Sequence, residues 1–228
     1  MERSGTQQIR RVPLRSTRPT RKEGIVKYFP IPQARMKISK EILWAIVGLV
    51  LTIGGTFLEA SIANPSVVWE SQEVKTLSLG VTYQIGAVLL IGCLGGKNAA
   101  VISQIAYIVL GLTLLPIFAQ GGGFAYLKQP TFGYLLGFIP GAWLCGSLAF
   151  KAAPKLELLA FSCVCGLFAI HVVGLSYLIL SNIFAGFLGS LPLLLAIKTY
   201  SIYPLPGQLA VACAVTVLAY VLRRLMFY

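Results

Sequence analysis

The residues best suited to hold a small molecule lie in a glycine-rich stretch between two apolar segments. Three consecutive glycines are followed within a few residues by aromatic side chains and one lysine. Glycine adopts positive φ without strain and lets a ligand approach the main chain closely. A pocket built from such groups would offer aromatic walls and a cation, whereas a mobile surface loop is the alternative interpretation. The candidates are Gly121, Gly122, Gly123, Phe124, Tyr126, Lys128 and Tyr134.

Groups suited to catalysis or metal binding are scarce in this chain. Its seven acidic residues are all glutamates, and His171 is the single histidine. The five cysteines lie in apolar runs without a CxxC pair, which is typical of buried packing residues. The run GCLGGKNA differs from a phosphate loop because Ile91 and Asn98 occupy the required Gly and Ser or Thr positions. We therefore expect no enzyme activity, no metal site and no cofactor.

The composition is that of an integral membrane protein. Of the 228 residues, 57% are hydrophobic and only 11% are charged, and the mean hydropathy is +0.80. A soluble domain of this size is far less apolar. The sequence therefore predicts an all-α, polytopic membrane protein.

Residues 1–40 form a separate, basic segment. They contain eleven Lys or Arg against two Glu, with little apolar periodicity. This composition predicts a disordered tail, which the positive-inside rule keeps in the cytoplasm because Lys37 and Lys40 adjoin the first span. An organellar transit peptide is the alternative, since such peptides are also Arg-rich and poor in acids.

Residues 41–228 are predicted to form six transmembrane helices, because a span needs about 20 apolar residues. The stretch Asn182–Ile197 is short and contains Gly186, Gly189 and Pro192, so it is interpreted as a bent or interfacial helix rather than a seventh span. The predicted spans are Ile42–Ala63, Leu79–Gly96, Ala99–Ala119, Phe132–Phe150, Leu156–Ser181 and Pro206–Leu222.

Charges between the spans give the orientation. Lys97, the pair Lys151 and Lys155, and the pair Arg223 and Arg224 fall on the side of the basic tail, while Glu70 and Glu73 fall on the other side. This bias predicts that both termini are cytoplasmic in a plasma-membrane protein. The glycine-rich stretch then lies outside, and the pocket opens outward.

Polar residues inside the spans should face the bundle, since exposing them to lipid is costly. Gln84 and Gln208 are therefore predicted to point into the bundle as candidate ligand contacts, whereas for His171 a hydrogen-bonded bridge between helices is favoured over a ligand role. A ridge of small residues in the first span, Gly48, Thr52 and Thr56, recurs every fourth residue. It predicts a close helix approach, either to a second protein or within the bundle.

The stretch Val81–Phe138 resembles the BioY family, the biotin-binding S components of energy-coupling factor (ECF) transporters, and the resemblance continues more weakly through the last span. Five elements carry the resemblance: VTxQ at Val81–Gln84, the stretch Tyr107–Gly111, LPxFA at Leu115–Ala119, the glycine run, and PTxGYLxGF at Pro130–Phe138. The resemblance implies a six-helix membrane protein with an outward pocket for biotin. It also implies two kinds of partner, a transmembrane coupling subunit and a pair of cytoplasmic ATPases, and no nucleic acid.

One motif departs from the family pattern. Where the family commonly reads IPGDLxK, this chain reads LPGQLAV, so Gln208 replaces an acid and Val211 replaces a lysine. Lys128 or Lys198 could then hold a ligand carboxylate. The leading interpretation is a binding subunit for biotin uptake. The alternatives are an S component for another small vitamin and an intramembrane scaffold protein without a ligand.

Overall fold

The computed structural model describes residues 38–63, 76–184 and 192–227, and these ranges are mostly helical. In this part of the chain, five helical stretches are long and apolar enough to cross a membrane: Ile38–Phe57, Gln84–Thr113, Phe132–Ala149, Leu156–Ile183 and Leu193–Met226. The predicted class, a multi-pass membrane protein, is confirmed. The helices are α1 (Ile38–Phe57), α2 (Gln84–Thr113), α3 (Phe132–Ala149), α4 (Leu156–Phe184), α5 (Leu193–Ile197) and α6 (Leu205–Phe227).

Helix α2 reverses direction at Gly96, where φ is 76° and ψ is 176°. Gln84 Nε2 lies 2.9 Å from the Tyr107 hydroxyl, 23 residues further along the chain. A straight helix would separate these residues by about 35 Å at 1.5 Å per residue. Residues 84–95 and 97–113 therefore lie side by side. Glycine permits this turn because a positive φ is unstrained without a Cβ atom.

A β-hairpin follows α1, and the all-α prediction is wrong there. Strand β1 (Glu59–Ala63) pairs antiparallel with β2 (Thr76–Thr82), and the Ser78 hydroxyl donates a hydrogen bond to the Glu59 carboxylate. The predicted first span continued to Ala63 and the second began at Leu79, so both included strand residues. A short apolar run cannot be assigned to strand or helix by periodicity alone, which explains the error.

Other predicted span boundaries also differ from the helix ends in the structure. The predicted third span extended to Ala119, but α2 ends at Thr113, shortly before Pro116, and a short 3₁₀ helix covers Phe124–Lys128. Of the stretch 182–197, residues 182–184 belong to α4 and Leu193–Ile197 form α5, followed by a π-helical turn at Lys198–Ile202. Residues 185–191 lie outside the described residues. The tail also lies outside them up to residue 37, and α1 already begins at Ile38.

The bundle has two chemically different ends. At one end, Arg223 Nη1 donates to the carbonyl of Ala149 at 2.8 Å, and its guanidinium lies 4.2 Å from the centre of the Phe150 ring. A Cβ atom on Gly146 would lie 2.6 Å from the backbone nitrogen of Lys97, so the reversal of α2 packs against α3 here. We call this the basic end. The starts of α2, α3 and α6 lie at the other end.

Candidate ligand cavity

A cavity of about 240 Å³ lies at the end opposite the basic end. It is lined by the end of β2, the starts of α2 and α3, Tyr126 of the 3₁₀ helix, and the segment around residues 199–208. Four of the predicted ligand-binding residues line this cavity, and they come from four separate elements. They are Gln84, Tyr126, Tyr134 and Gln208.

The amide of Gln84 is held from one side. Its Nε2 donates to the Tyr107 hydroxyl, which is fully buried and lies 3.2 Å from both the Ile117 carbonyl and Thr56 Oγ1. The tyrosine hydroxyl donates its proton to Ile117 and accepts from Gln84. One N–H of the amide is thus engaged, and no partner of Oε1 is found among the described residues, so Oε1 of Gln84 is available to accept a hydrogen bond from a ligand.

A second hydrogen-bonded network holds Gln208. His171 Nε2 lies 2.6 Å from Gln208 Oε1, and His171 Nδ1 lies 3.3 Å from Ser201 Oγ. The Tyr134 hydroxyl is 2.5 Å from the same Ser201 oxygen. His171 thus bridges α4 and α6, as the interhelical interpretation expected, and it fixes a residue of the cavity wall.

The aromatic walls rest on packed rings. The Tyr126 ring packs against Phe118 with the ring centres 4.6 Å apart and the planes tilted by 48°, and its hydroxyl accepts a hydrogen bond from Thr131 at 3.1 Å. Tyr134 meets the His171 ring edge to face at 5.7 Å. Burial raises the pKa of Tyr126 above its ordinary value. Its hydroxyl is therefore neutral at physiological pH and does not repel an anionic ligand.

The glycine run does not line the cavity. Gly123 donates its backbone N–H to the Gly111 carbonyl at 2.8 Å, and a Cβ atom on Gly122 would lie 2.7 Å from that same oxygen. Gly121 and Gly123 adopt positive φ, and Gly121 pairs with Phe118 in an isolated bridge. The run therefore packs the loop onto the end of α2, and Phe118 is held beneath Tyr126 as a result.

The predicted aromatic wall residue Phe124 and the predicted cation Lys128 also lie outside the lining. The Phe124 side chain is 68% exposed. Lys128 is exposed and two residues from Tyr126, while Lys198 is exposed and directly precedes Thr199, which lines the cavity. Both lysines are thus close in sequence to the cavity wall.

The small-residue ridge packs within the chain itself, which corrects the prediction of a partner surface at Gly48, Thr52 and Thr56. A Cβ atom on Gly48 would lie 2.6 Å from Ile91 and 2.9 Å from Ser103, both in α2. Gln104 donates to Thr52 Oγ1 at 3.1 Å, and Thr56 contacts Tyr107 as described. The close approach was predicted, and its partner is α2 of the same chain, on both sides of the reversal at Gly96.

Several lining residues were not among the predicted site residues. Thr82 is the second residue of the VTxQ motif, two positions before Gln84, and Gln120 directly precedes the glycine run. Thr199 and Tyr200 lie in the π-helical turn after Lys198. The available signal for this pair was position, because it lies between the predicted spans Leu156–Ser181 and Pro206–Leu222, which the predicted topology connects on the outer side.

Three cysteines converge at the other end of the bundle. The Sγ atoms of Cys93, Cys145 and Cys163 all lie within 4.8 Å of one another, and all three residues are buried. Thiolates are soft ligands that could hold a metal ion. The same geometry is produced by the predicted role, since small thiols pack well where helices approach closely.

Comparison with known proteins gives one family for the whole membrane region. The sequence profile of the BioY family matches residues 33–227. The chain is similar to the probable biotin transporter BioY of Lysinibacillus sphaericus, with 42% identity over 98 residues that cover 42% of this chain and 50% of the relative. It is also similar to the biotin transporter BioY of Thermotoga maritima, with 40% identity over 94 residues, covering 41% of this chain and 55% of the relative. These alignments span about half of each transporter.

Two further similarities extend over more of the chain. An uncharacterized 21.2 kDa protein of Cyanophora paradoxa is 26% identical over 193 residues, which cover 84% of this chain and 100% of the relative. The fold is similar to the crystal structure of an S-component for biotin from an ECF-type ABC transporter, with a TM-score of 0.60 and 20% identity. That match covers 83% of this chain and 95% of the other.

Proposed function

Because the chain belongs to the BioY family, we propose that it is a substrate-binding subunit for biotin uptake across the membrane. The named relatives in this family are biotin transporters, which confirms the family resemblance and the prediction that the chain is not an enzyme. The proposed ligand is held without being chemically changed. No cofactor is required for such a role.

The observation that carries the proposal is the cavity with Gln84 and Gln208 in its wall. Biotin has an apolar ring system, a neutral ureido edge and a carboxylate tail. Neutral amides suit the ureido edge, and the rings of Tyr126 and Tyr134 suit the apolar ring system. For the carboxylate we propose Lys128, with Lys198 as the next candidate. The glycine run supports the loop that carries Tyr126 and Lys128.

We propose six spans and an outward-facing cavity. The reversal of α2 at Gly96 supports two separate crossings, residues 84–95 together with β2 and residues 97–113. The basic end carries Lys97 and Arg223, and it leads to Lys151 and Lys155 after α3. The positive-inside rule assigns this end to the cytoplasm, together with both termini, and hence the cavity to the outside of the plasma membrane.

The proposed partners are those that the family resemblance implies. An ECF coupling subunit and two ATPase subunits would supply the energy for uptake. Since the small-residue ridge is buried inside the bundle, it does not serve as their contact surface. Its burial also removes the one sequence feature that favoured a scaffold protein without a ligand.

Binding of radiolabelled biotin to the purified protein tests the proposal. We expect saturable binding at micromolar or lower biotin concentration, displaced by unlabelled biotin and not by other vitamins. Cys213→Ser, a change at an exposed residue outside the cavity lining, serves as the control and should bind as the wild type does. Absence of binding, or displacement by a different vitamin at lower concentration, would contradict the assignment to biotin.

A further inference from the structure

We infer that His171 fixes the amide of Gln208 so that the cavity presents an N–H donor there, opposite the acceptor presented by Gln84. The inference rests on the proposed function and adds the polarity of the site. The distance of 2.6 Å between His171 Nε2 and Gln208 Oε1 is the starting point. A carbonyl oxygen only accepts hydrogen bonds, so Nε2 must carry the proton.

The position of this proton fixes which group donates in each of the remaining hydrogen bonds. With the proton on Nε2, the Nδ1 atom of neutral His171 is an acceptor, and it receives the single proton of the Ser201 hydroxyl at 3.3 Å. Ser201 Oγ must then accept from the Tyr134 hydroxyl at 2.5 Å. The protons thus run from Tyr134 to Ser201, to His171, and to Gln208. All four side chains of this hydrogen-bonded series are buried, so each hydrogen bond is needed to offset the loss of contact with water.

Gln208 is left with its amide nitrogen for a ligand. Its Oε1 is occupied by His171, and among the described residues no hydrogen-bond partner of its Nε2 is found. Gln84 is held the opposite way, because its Nε2 donates to Tyr107 and its Oε1 is left. The two glutamines line one cavity and present one acceptor and one donor. A ureido group has the complementary set, with N–H donors and a carbonyl acceptor.

His171 is therefore a positioning residue for specificity. A carboxylate at position 208 would present an acceptor and a charge where the amide presents a donor. The amide selects ligands with a neutral carbonyl at that point and disfavours those that place an N–H or a cation there. A site that hydrogen-bonds one partner discriminates strongly against an analogue with mismatched groups, since buried polar atoms are then left unpaired.

The first test needs no ligand. The chain contains a single histidine, so ¹⁵N-histidine labelling of the purified protein gives the ring-nitrogen signals of His171 alone. We expect the signals of the tautomer protonated at Nε2, with Nδ1 unprotonated. Protonation at Nδ1 alone would reverse the whole chain of hydrogen bonds and overturn the inference, whether or not the protein binds biotin.

The second test compares biotin with 2-iminobiotin, in which a guanidinium replaces the ureido carbonyl at neutral pH. The wild type should prefer biotin. In Gln208→Glu the biotin-to-iminobiotin affinity ratio should fall by about 100-fold or more, because the carboxylate attracts the guanidinium and rejects the carbonyl. Gln120→Glu adds the same charge to the lining outside the His171 network and should change the ratio far less. An unchanged ratio in Gln208→Glu, or tighter biotin binding, would overturn the inference.

Replacing His171 separates positioning from packing. His171→Leu frees the Gln208 amide to rotate, so the affinity ratio should fall about tenfold, whereas a purely structural role would weaken both ligands alike. His171→Gln keeps an N–H donor at the same reach and should restore most of the ratio. Equal losses for both ligands in both variants would contradict the positioning role. A wild type that binds neither ligand but shows the Nε2 tautomer would sink the biotin assignment and leave the polarity of the cavity standing.

Discussion

At the basic end of the bundle the helices meet through glycine and sulfur, whereas at the cavity end they meet through hydroxyl, imidazole and amide groups. Gly146 allows α3 to touch the backbone of Lys97. The thiols of Cys93, Cys145 and Cys163 fill the space between α2, α3 and α4. At the cavity end the side chains are instead fixed in the wall by directed hydrogen bonds. Close packing at the basic end leaves no room for a ligand, whereas the polar networks at the other end surround an open cavity.

The two ends should therefore respond differently to mutation. Changes at the basic end are expected to alter stability and leave ligand affinity intact, because that end is packed like a protein interior. Changes at the cavity end are expected to alter affinity more than stability, because the cavity already lacks packing contacts. The following predictions test this separation.

The largest effect is expected for Gly146→Ala at the basic end. The added methyl group would lie 2.6 Å from a backbone nitrogen, which cannot move without separating α3 from the corner of α2. Overpacking of this kind costs about 1–3 kcal/mol, so the thermal unfolding temperature in detergent should drop by several degrees. The biotin affinity of the folded fraction should stay within about twofold of the wild type, a change of under 0.5 kcal/mol.

Gly54→Ala is the matched control for this substitution. A Cβ atom on Gly54 meets nothing within 4 Å, and alanine is the better helix former. Its unfolding temperature should therefore be unchanged or higher. If Gly146→Ala were as stable as Gly54→Ala, the close approach at the basic end would be wrong.

At the cavity end, Gln84→Leu should weaken biotin binding by about 10- to 100-fold, because it removes the acceptor that the Tyr107 contact leaves free. Stability should change little, since Tyr107 keeps its bond to Ile117. Gln104→Leu is the matched control, as this buried glutamine lies in the same helix, contacts Thr52 and does not line the cavity. If Gln104→Leu lost biotin affinity and Gln84→Leu kept it, the assignment of Gln84 as the ligand contact would be contradicted.

The smallest effect is expected for Lys128→Ala. A hydrogen bond to a charged group is worth about 1.5–3 kcal/mol when desolvated and about 1 kcal/mol or less at an exposed site. Because Lys128 is exposed, we expect a loss of about tenfold in biotin affinity at most. Biotin methyl ester, which lacks the charge, should bind the variant and the wild type alike. If biotin also binds both alike, the carboxylate partner is elsewhere, with Lys198 the next residue to replace.

Sequence reasoning was strongest where a residue's burial decides its role. Gln84 and Gln208 are polar residues in apolar runs, and such residues must face the interior of a bundle, where the cavity lies. The close helix approach at Gly48 was predicted from residue size, because small side chains let two helices come close together. What size alone could not supply was the identity of the neighbour, which is α2 of the same chain.

Sequence reasoning failed where one pattern fits two structures. The apolar residues of β1 and β2 extended the helical runs beside them, so the hairpin was assigned to spans. Glycine run 121–123 was interpreted as a ligand contact, yet the same backbone freedom serves a loop that packs on Gly111. The hydrogen bonds of His171 depend on residues 30 and 37 positions away, Ser201 and Gln208, and no local pattern predicts them.

The most direct test of the central claim is labelling of a cysteine at the cavity with a membrane-impermeant maleimide in intact cells. Thr199→Cys places a thiol in the lining and Lys151→Cys places one beyond the basic end, in a background where Cys165 and Cys213 are replaced by serine. The account predicts that Thr199→Cys reacts in intact cells and is protected by biotin, while Lys151→Cys reacts only after permeabilisation and is not protected. Reaction of Lys151→Cys in intact cells would reverse the topology. Labelling of Thr199→Cys at the same rate with and without saturating biotin would show that the cavity is not the biotin site.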